Sequence, residues 1–136
     1  GNELSGGNFV EAQEFLGSGV RELCASSSAF AAIRADDSVL TWGNELTGGN
    51  SSDVQADLFN VRRVYATSSA FAAVKHDDTV VTWGDSSAGG CSDAVRAELT
   101  DVQGLYATRA AFAALTRAGA VITWGSPVYG GNSSRV

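Results

Sequence analysis

The chain has 136 residues, 44% of them hydrophobic and 18% charged, which is a globular rather than a disordered balance. A formal net charge of −6 opposes binding to a phosphate backbone, so no nucleic acid partner is expected, whereas a basic protein patch would be attracted. No apolar run approaches the roughly 20 residues that span a bilayer, so no direct membrane insertion is expected.

The first stretch, Gly1 to Val10, reads as folded repeat and not as a signal or transit peptide. Gly1-Asn2-Glu3-Leu4, followed by Gly6-Gly7, returns later as Gly43-Asn44-Glu45-Leu46 and Gly48-Gly49. Asn8 to Leu16 is a loose version of a segment found again at Ser51 to Leu58 and Ser92 to Leu99. In the latter two, Ser and Asp precede apolar residues spaced four apart, Val54 with Leu58 and Val95 with Leu99, which predicts one or two capped helical turns. Such short helices must pack on their neighbours to be stable.

Next in each copy come Val20, Val61 and Val102, then Leu23, Val64 and Leu105. Ala29-Phe30-Ala31-Ala32 returns as Ala70-Phe71-Ala72-Ala73 and Ala111-Phe112-Ala113-Ala114. Each copy ends on Thr-Trp-Gly, at Thr41-Trp42-Gly43, Thr82-Trp83-Gly84 and Thr123-Trp124-Gly125, with a spacing of 41 residues. The first copy is one residue longer, and Gly17-Ser18-Gly19 absorbs the extra residue. In the second copy, Val61 to Thr67, Ala70 to Lys75 and Thr79 to Trp83 are short runs of β-formers and predict three strands. His76-Asp77-Asp78 joins the last two, with Ala35-Asp36-Asp37 and Arg117-Ala118-Gly119 as its equivalents. Residues that tolerate a left-handed backbone mark this link as a hairpin turn. A cation site on the Asp pairs is the rival reading, and the third copy lacks the pair.

The expected organisation is one tandem-repeat domain over 1–136, with repeats at about 1–42, 43–83 and 84–124 and the start of a fourth at 125–136. No copy can bury its own apolar face, so the recurring Phe30, Phe71, Phe112 and Trp42, Trp83, Trp124 are expected to form a core between copies. The absence of Met suggests a processed or partial version of a longer protein. Cys24 and Cys91 imply neither a disulfide framework nor a zinc site.

Val-x-x-Leu/Val-Tyr-Ala-Thr, then Ala-Phe-Ala-Ala, Asp-x-x-Val-x-Thr-Trp-Gly and Gly-Gly, best seen in Val61 to Gly84 and Val102 to Gly125, resembles the RCC1 repeat family. Leu23-Cys24-Ala25 matches that family's Cys position. The family's common His is replaced by Ser28, Ser69 and Ala110, and a Gly pair stands where a Gln-Leu-Gly is usual, as in a compact RCC1-like subtype. The resemblance implies an all-β fold with short helical turns, built from propeller-type blades that form a partial or open array. A β-trefoil is the alternative closure of three repeats. Founding members of the family exchange nucleotide on a small GTPase, and others are binding domains of large ubiquitin ligases.

The function expected is a non-catalytic protein-interaction scaffold, an accessory subunit or docked segment of a larger assembly. Alternatives are a regulatory module of the kinds just named, an accessory subunit of a photosynthetic membrane complex (in a plastid, if the source is a photosynthetic protist), or a sugar-binding lectin if the fold is a trefoil. No cofactor, metal site or small-molecule ligand is expected. His76 beside Asp77 lacks a matched nucleophile, and Gly89-Gly90 lacks the Lys of a phosphate loop, so no catalytic residue is assigned. Candidate partner-binding residues lie in the loops after each Trp-Gly: Asn44, Glu45 and Asp53, then Asp85, Ser86 and Asp93, then Tyr129 and Asn132.

Overall fold

A computed structural model describes residues 19–130. Gly1 to Val10, the loose helical segment to Leu16, and Asn132 lie outside the described residues. Among the described residues nine strands form three separate three-stranded antiparallel sheets, each a meander in chain order. The first holds β1 (Val20–Ala25), β2 (Ala29–Arg34) and β3 (Val39–Gly43). The second holds β4 (Val61–Ala66), β5 (Ala70–Lys75) and β6 (Val80–Gly84). The third holds β7 (Val102–Ala107), β8 (Ala111–Thr116) and β9 (Val121–Gly125). Register repeats from sheet to sheet: Phe30 opposes Trp42, Phe71 opposes Trp83 and Phe112 opposes Trp124. The three sheets stand side by side as blades and do not join into one barrel, which sets aside the trefoil and the lectin reading that depended on it.

The hairpin turns form as their residues require. Asp37 donates its N–H to the Arg34 carbonyl and sits at φ 66°, and Arg34 in turn donates to Ser38. That is a three-residue loop closed by one left-handed residue. Asp78 (φ 65°) and Gly119 (φ 88°) occupy the same position. Asp36 and Asp77 accept from the backbone N–H and hydroxyl two residues on, at Ser38 and Thr79. These bonds hold both carboxyls below the usual carboxylate range. The Asp pairs are thus turn residues.

The helical segments differ from expectation in type. Gln55–Asp57 and Asp93–Glu98 are 3-10 turns, and neither has a side-chain cap. The serines expected to cap them bond elsewhere: Ser51 Oγ lies 2.8 Å from Thr41 Oγ1, and Ser92 Oγ lies 3.0 Å from Thr82 Oγ1. Those pairs pin the returning loop to the outer strand. Three more 3-10 turns, Glu45–Thr47, Ser86–Ala88 and Pro127–Tyr129, follow each Trp-Gly where the sequence suggested only loop.

The core sits between blades. One cluster joins Ala29, Ala31, Ile33 and Val39 of the first blade to Val64, Phe71, Ala73 and Trp83 of the second. Another joins Ala70, Ala72 and Val74 of the second to Leu105, Phe112, Ala114 and Trp124 of the third. Side chains alternate along a strand, so each central strand serves one interface with its odd positions and the next with its even ones. Strand β5, with a blade on both sides, is buried at all six residues. The Ala pairs beside each Phe leave room for the sheets to approach.

Candidate functional site

Each loop after Trp-Gly makes a 3-10 turn, which a side chain caps in the first two copies but not at Ser126 in the third. Asn44 Oδ1 accepts from the Leu46 N–H at 2.8 Å, and Asp85 Oδ1 accepts from Ser87 N–H at 2.9 Å, so both side chains cap a 3-10 turn. Gly48, Gly89 and Gly130 end these turns at φ 107°, 100° and 105°. The second glycine of the first two pairs answers a different demand. A methyl on Gly49 would lie 2.4 Å from the Gly43 carbonyl oxygen, and one on Gly90 would lie 2.3 Å from that of Gly84.

The first glycine is the seat for the next blade. The Phe71 ring occupies the space a side chain on Gly48 would need, and Trp83 Nε1 donates to the Gly48 carbonyl at 3.1 Å. Phe112 and Trp124 treat Gly89 in the same way, again at 3.1 Å. Each Phe stacks on its own Trp with ring centroids 5.4 Å apart. Phe71, Trp83, Phe112 and Trp124 therefore lock blades together and are buried from any stacking ligand.

Successive loops frame a groove of about 380 Å³ between the first and second blades. Glu45, Asp53 and Asp93 line it together with Asn50 and Cys91, and no Lys or Arg does. Of the residues singled out in the sequence, the structure brings these three acids together. Asn44 and Asp85 are engaged as caps, Ser86 is exposed on its 3-10 turn, and Tyr129 lines a different groove on the third blade. Asn132 lies outside the described residues. Sequence reasoning passed over Asn50 and Cys91, although both follow a Gly pair at one repeat position. Among the described residues no cluster of His, Cys, Asp and Glu could hold a metal ion. No helix among them is long and apolar enough to cross a membrane.

At the hairpin end the blades are joined by hydrogen bonds to two acids, one of them also an Arg–Asp ion pair across the junction, that the sequence reading missed. Asp37 receives Arg21 of its own blade at 2.9 Å and His76 of the next at 3.0 Å. Asp78 receives Arg62 of its own blade and Arg117 of the next, both at 3.2 Å. Arg21 Nη2 also donates to the Val61 carbonyl at 2.7 Å, across the same interface. The Arg21 bond, then the His76 bond, holds the Asp37 carboxyl below its ordinary range. Both arginines and both acids recur at the repeat spacing, which was the signal for the staple. His76 therefore serves an inter-blade contact and is not hydrogen-bonded to a hydroxyl or thiol.

No protein-family model matches the sequence, and no curated protein matches it. Solved structures do match the fold. Human WBSCR16 superposes with a TM-score of 0.54 at 19% identity, over 82% of this chain and 35% of its own. Yeast RCC1 (Prp20), crystallised bound to Kap60, superposes at 0.55 with 16% identity, over 78% of this chain and 29% of its own. Prp20p of Saccharomyces cerevisiae, in a structure described with its binding to Gsp1p and histones, gives 0.55 and 16%, over 78% and 30%. This chain spans about a third of the length of each.

Proposed function

From an RCC1-like repeat fold, we propose that the chain is a non-catalytic protein-interaction module, working as a docked part of a larger assembly. The repeat domain over 1–136 is its interaction unit. Its partner is a basic segment of another protein, received between successive loops. The observation that carries this reading is the groove in which Glu45, Asp53 and Asp93 converge from two neighbouring blades without a basic residue among its lining. Three acids facing one groove set up a negative field there, which favours a cationic segment and speeds its arrival. One solved neighbour, yeast Prp20, is described with protein partners in two structures, Kap60 in one and Gsp1p and histones in the other, which supports a protein as the partner class here.

The test is a pull-down from the native source at low salt, with mass spectrometry of what remains bound. One defined partner, lost at high salt and lost again with the triple variant Glu45→Gln, Asp53→Asn, Asp93→Asn, supports the proposal. Recovery of the bare chain, or a partner indifferent to the three substitutions, removes it. A second reading, an RCC1-like regulatory module acting on a small GTPase or within a ubiquitin ligase, draws on the same neighbours. Stimulated nucleotide release from candidate GTPases would favour that reading, and a flat response would remove its exchange form.

A further inference from the structure

Arg21, Arg62, Arg63 and Arg117 each meet a carboxylate within 3.5 Å. Two cations beside the second blade do not. Lys75, the last residue of β5, is only 8% exposed, and its ammonium forms no hydrogen bond or ion pair among the described residues. The Phe59 ring lies 3.7 Å from Nζ, a cation–π contact that supplies no acceptor oxygen. Asp77 lies within the field of Lys75, but its carboxylate is bonded to Thr79. Arg96, on the 3-10 turn Asp93–Glu98, likewise has no side-chain hydrogen bond or ion pair among the described residues. Leaving a buried ammonium without an acceptor costs stability, which the oxygens of a ligand would offset.

Both cations line one groove of about 200 Å³, together with Asp57, Thr79, Leu99 and Thr100. Thr79 gives its hydroxyl proton to Asp77, whereas the Thr100 hydroxyl is uncommitted among the described residues. Asp57 pairs with neither cation, so two positive groups face one carboxylate there.

The fold itself does not demand this arrangement. By the repeat spacing, Gln55 holds the position of Arg96 at the preceding junction and donates to the Val39 carbonyl at 3.2 Å. Phe59 there holds the position of Thr100. Arg34 stands for Lys75 in the first blade and Thr116 in the third. Equivalent copies thus build the same strand and a comparable turn without setting Lys75 against Arg96.

We propose that this groove binds a phosphate monoester group, with Lys75 and Arg96 holding its oxygens and Thr100 donating a further bond. A planar guanidinium fork matches two oxygens of such a group, and the ammonium supplies a point charge against a third. A dianion answers both cations at once, whereas a single carboxylate leaves one unmet. Asp57 opposes the bound charge. The net charge of −6 speaks against a polyanion laid over the surface, not against one small group in one groove. Free phosphate and a phosphorylated residue share this chemistry. No residue lines both this groove and the acidic one, and the inference does not depend on the proposed function.

The test is an NMR titration of the isotope-labelled, full-length chain with inorganic phosphate and, separately, with O-phosphoserine, at an ionic strength held constant with sodium chloride. The expected result is saturable shifts of the Lys75, Arg96 and Thr100 amides with both probes. Tighter binding of phosphate names the free ion as the source, and tighter binding of phosphoserine names a modified residue. Arg96→Gln and Lys75→Thr each install a residue that an equivalent copy already carries, so both keep the wild-type fold. Each should weaken binding about tenfold, as the loss of a charge-assisted hydrogen bond implies. Asp57→Asn should tighten it. Arg109→Gln removes an exposed cation outside the groove and should change nothing. Shifts that never saturate overturn the proposal. So does a loss with Arg109→Gln as large as that with Arg96→Gln, which would mark mere charge screening.

Discussion

Gly48 and Gly89 do two things at once: they turn the backbone left-handed and they leave a hole for the phenylalanine of the following blade. Substituting either by alanine adds the left-handed cost, roughly 1–2 kcal/mol, to an overpacking cost of about 1–3 kcal/mol. Gly89→Ala is therefore expected to lose about 3 kcal/mol in urea unfolding, and Gly130→Ala, with open space beside it, only about 1 kcal/mol. Equal losses at the two positions would contradict the seat. The sequence shows the glycine pairs plainly as turn residues, but not their second task, because Phe71 and Phe112 belong to the next repeat. Charge at the residue scale has a definite sign too. Asp37 has its folded pKa depressed by Arg21, so its contribution is present above the unfolded carboxylate value of about 3.9 and is lost as pH falls through the folded one. Asp37→Asn should lower stability at neutral pH and flatten the acid limb of a stability-against-pH curve below about pH 4. Among thiols, burial pushes Cys24 up to about 11, whereas Cys91 is exposed beside the groove. Iodoacetamide at neutral pH should therefore alkylate Cys91 well before Cys24, as peptide mass spectrometry would read.

Central strands differ among themselves although their sequences hardly do. Strand β5 is buried throughout, β2 exposes Phe30, and β8 leaves Ala113 and Leu115 half-covered. Truncating a fully buried phenylalanine costs about 3–5 kcal/mol, so Phe71→Ala should fall in that range. Phe30→Ala should cost clearly less, despite an identical local motif, and thermal melts of the two variants would show it. The strands were legible because runs of β-formers recur between turn residues: Val61 to Thr67, Ala70 to Lys75 and Thr79 to Trp83 match β4, β5 and β6 within a residue at each end. The 3-10 turns were less legible. Spacing Val54 from Leu58 suits an α-helical face, but Ser51 and Ser92, which could have capped one, are drawn to Thr41 and Thr82 on the outer strands. That competition is a tertiary contact, invisible to local pattern. The hairpin turns carried their own signal in the Asp pairs and held to it.

For the whole molecule, the sequence foretold that copies share their cores, and the two inter-blade clusters are that sharing. It did not decide between blades and a trefoil, because closure depends on the angle between neighbours and not on any one repeat. Nor could it assemble the acidic groove, whose Glu45 and Asp53 come from one loop and Asp93 from the next. Stability in such an array is a sum of unit and neighbour terms. Gly89→Ala, at the second junction, should therefore leave amide exchange in β1 and β2 largely protected while β7 to β9 open. Uniform loss of protection across all nine strands would show a single cooperative block instead.

The contact of Trp83 with Gly48, and of Trp124 with Gly89, always reaches backward along the chain. Phe71 and Phe112 do the same. On the ribosome, then, every seat is made before the blade that fills it. Each emerging tryptophan finds its acceptor already outside the tunnel, and no finished blade must reopen to admit a later one. Synthesis from the N-terminus runs at about 5–20 residues per second, far slower than hairpins form. The nascent protein can set its blades in order, like courses of brick laid on the one below.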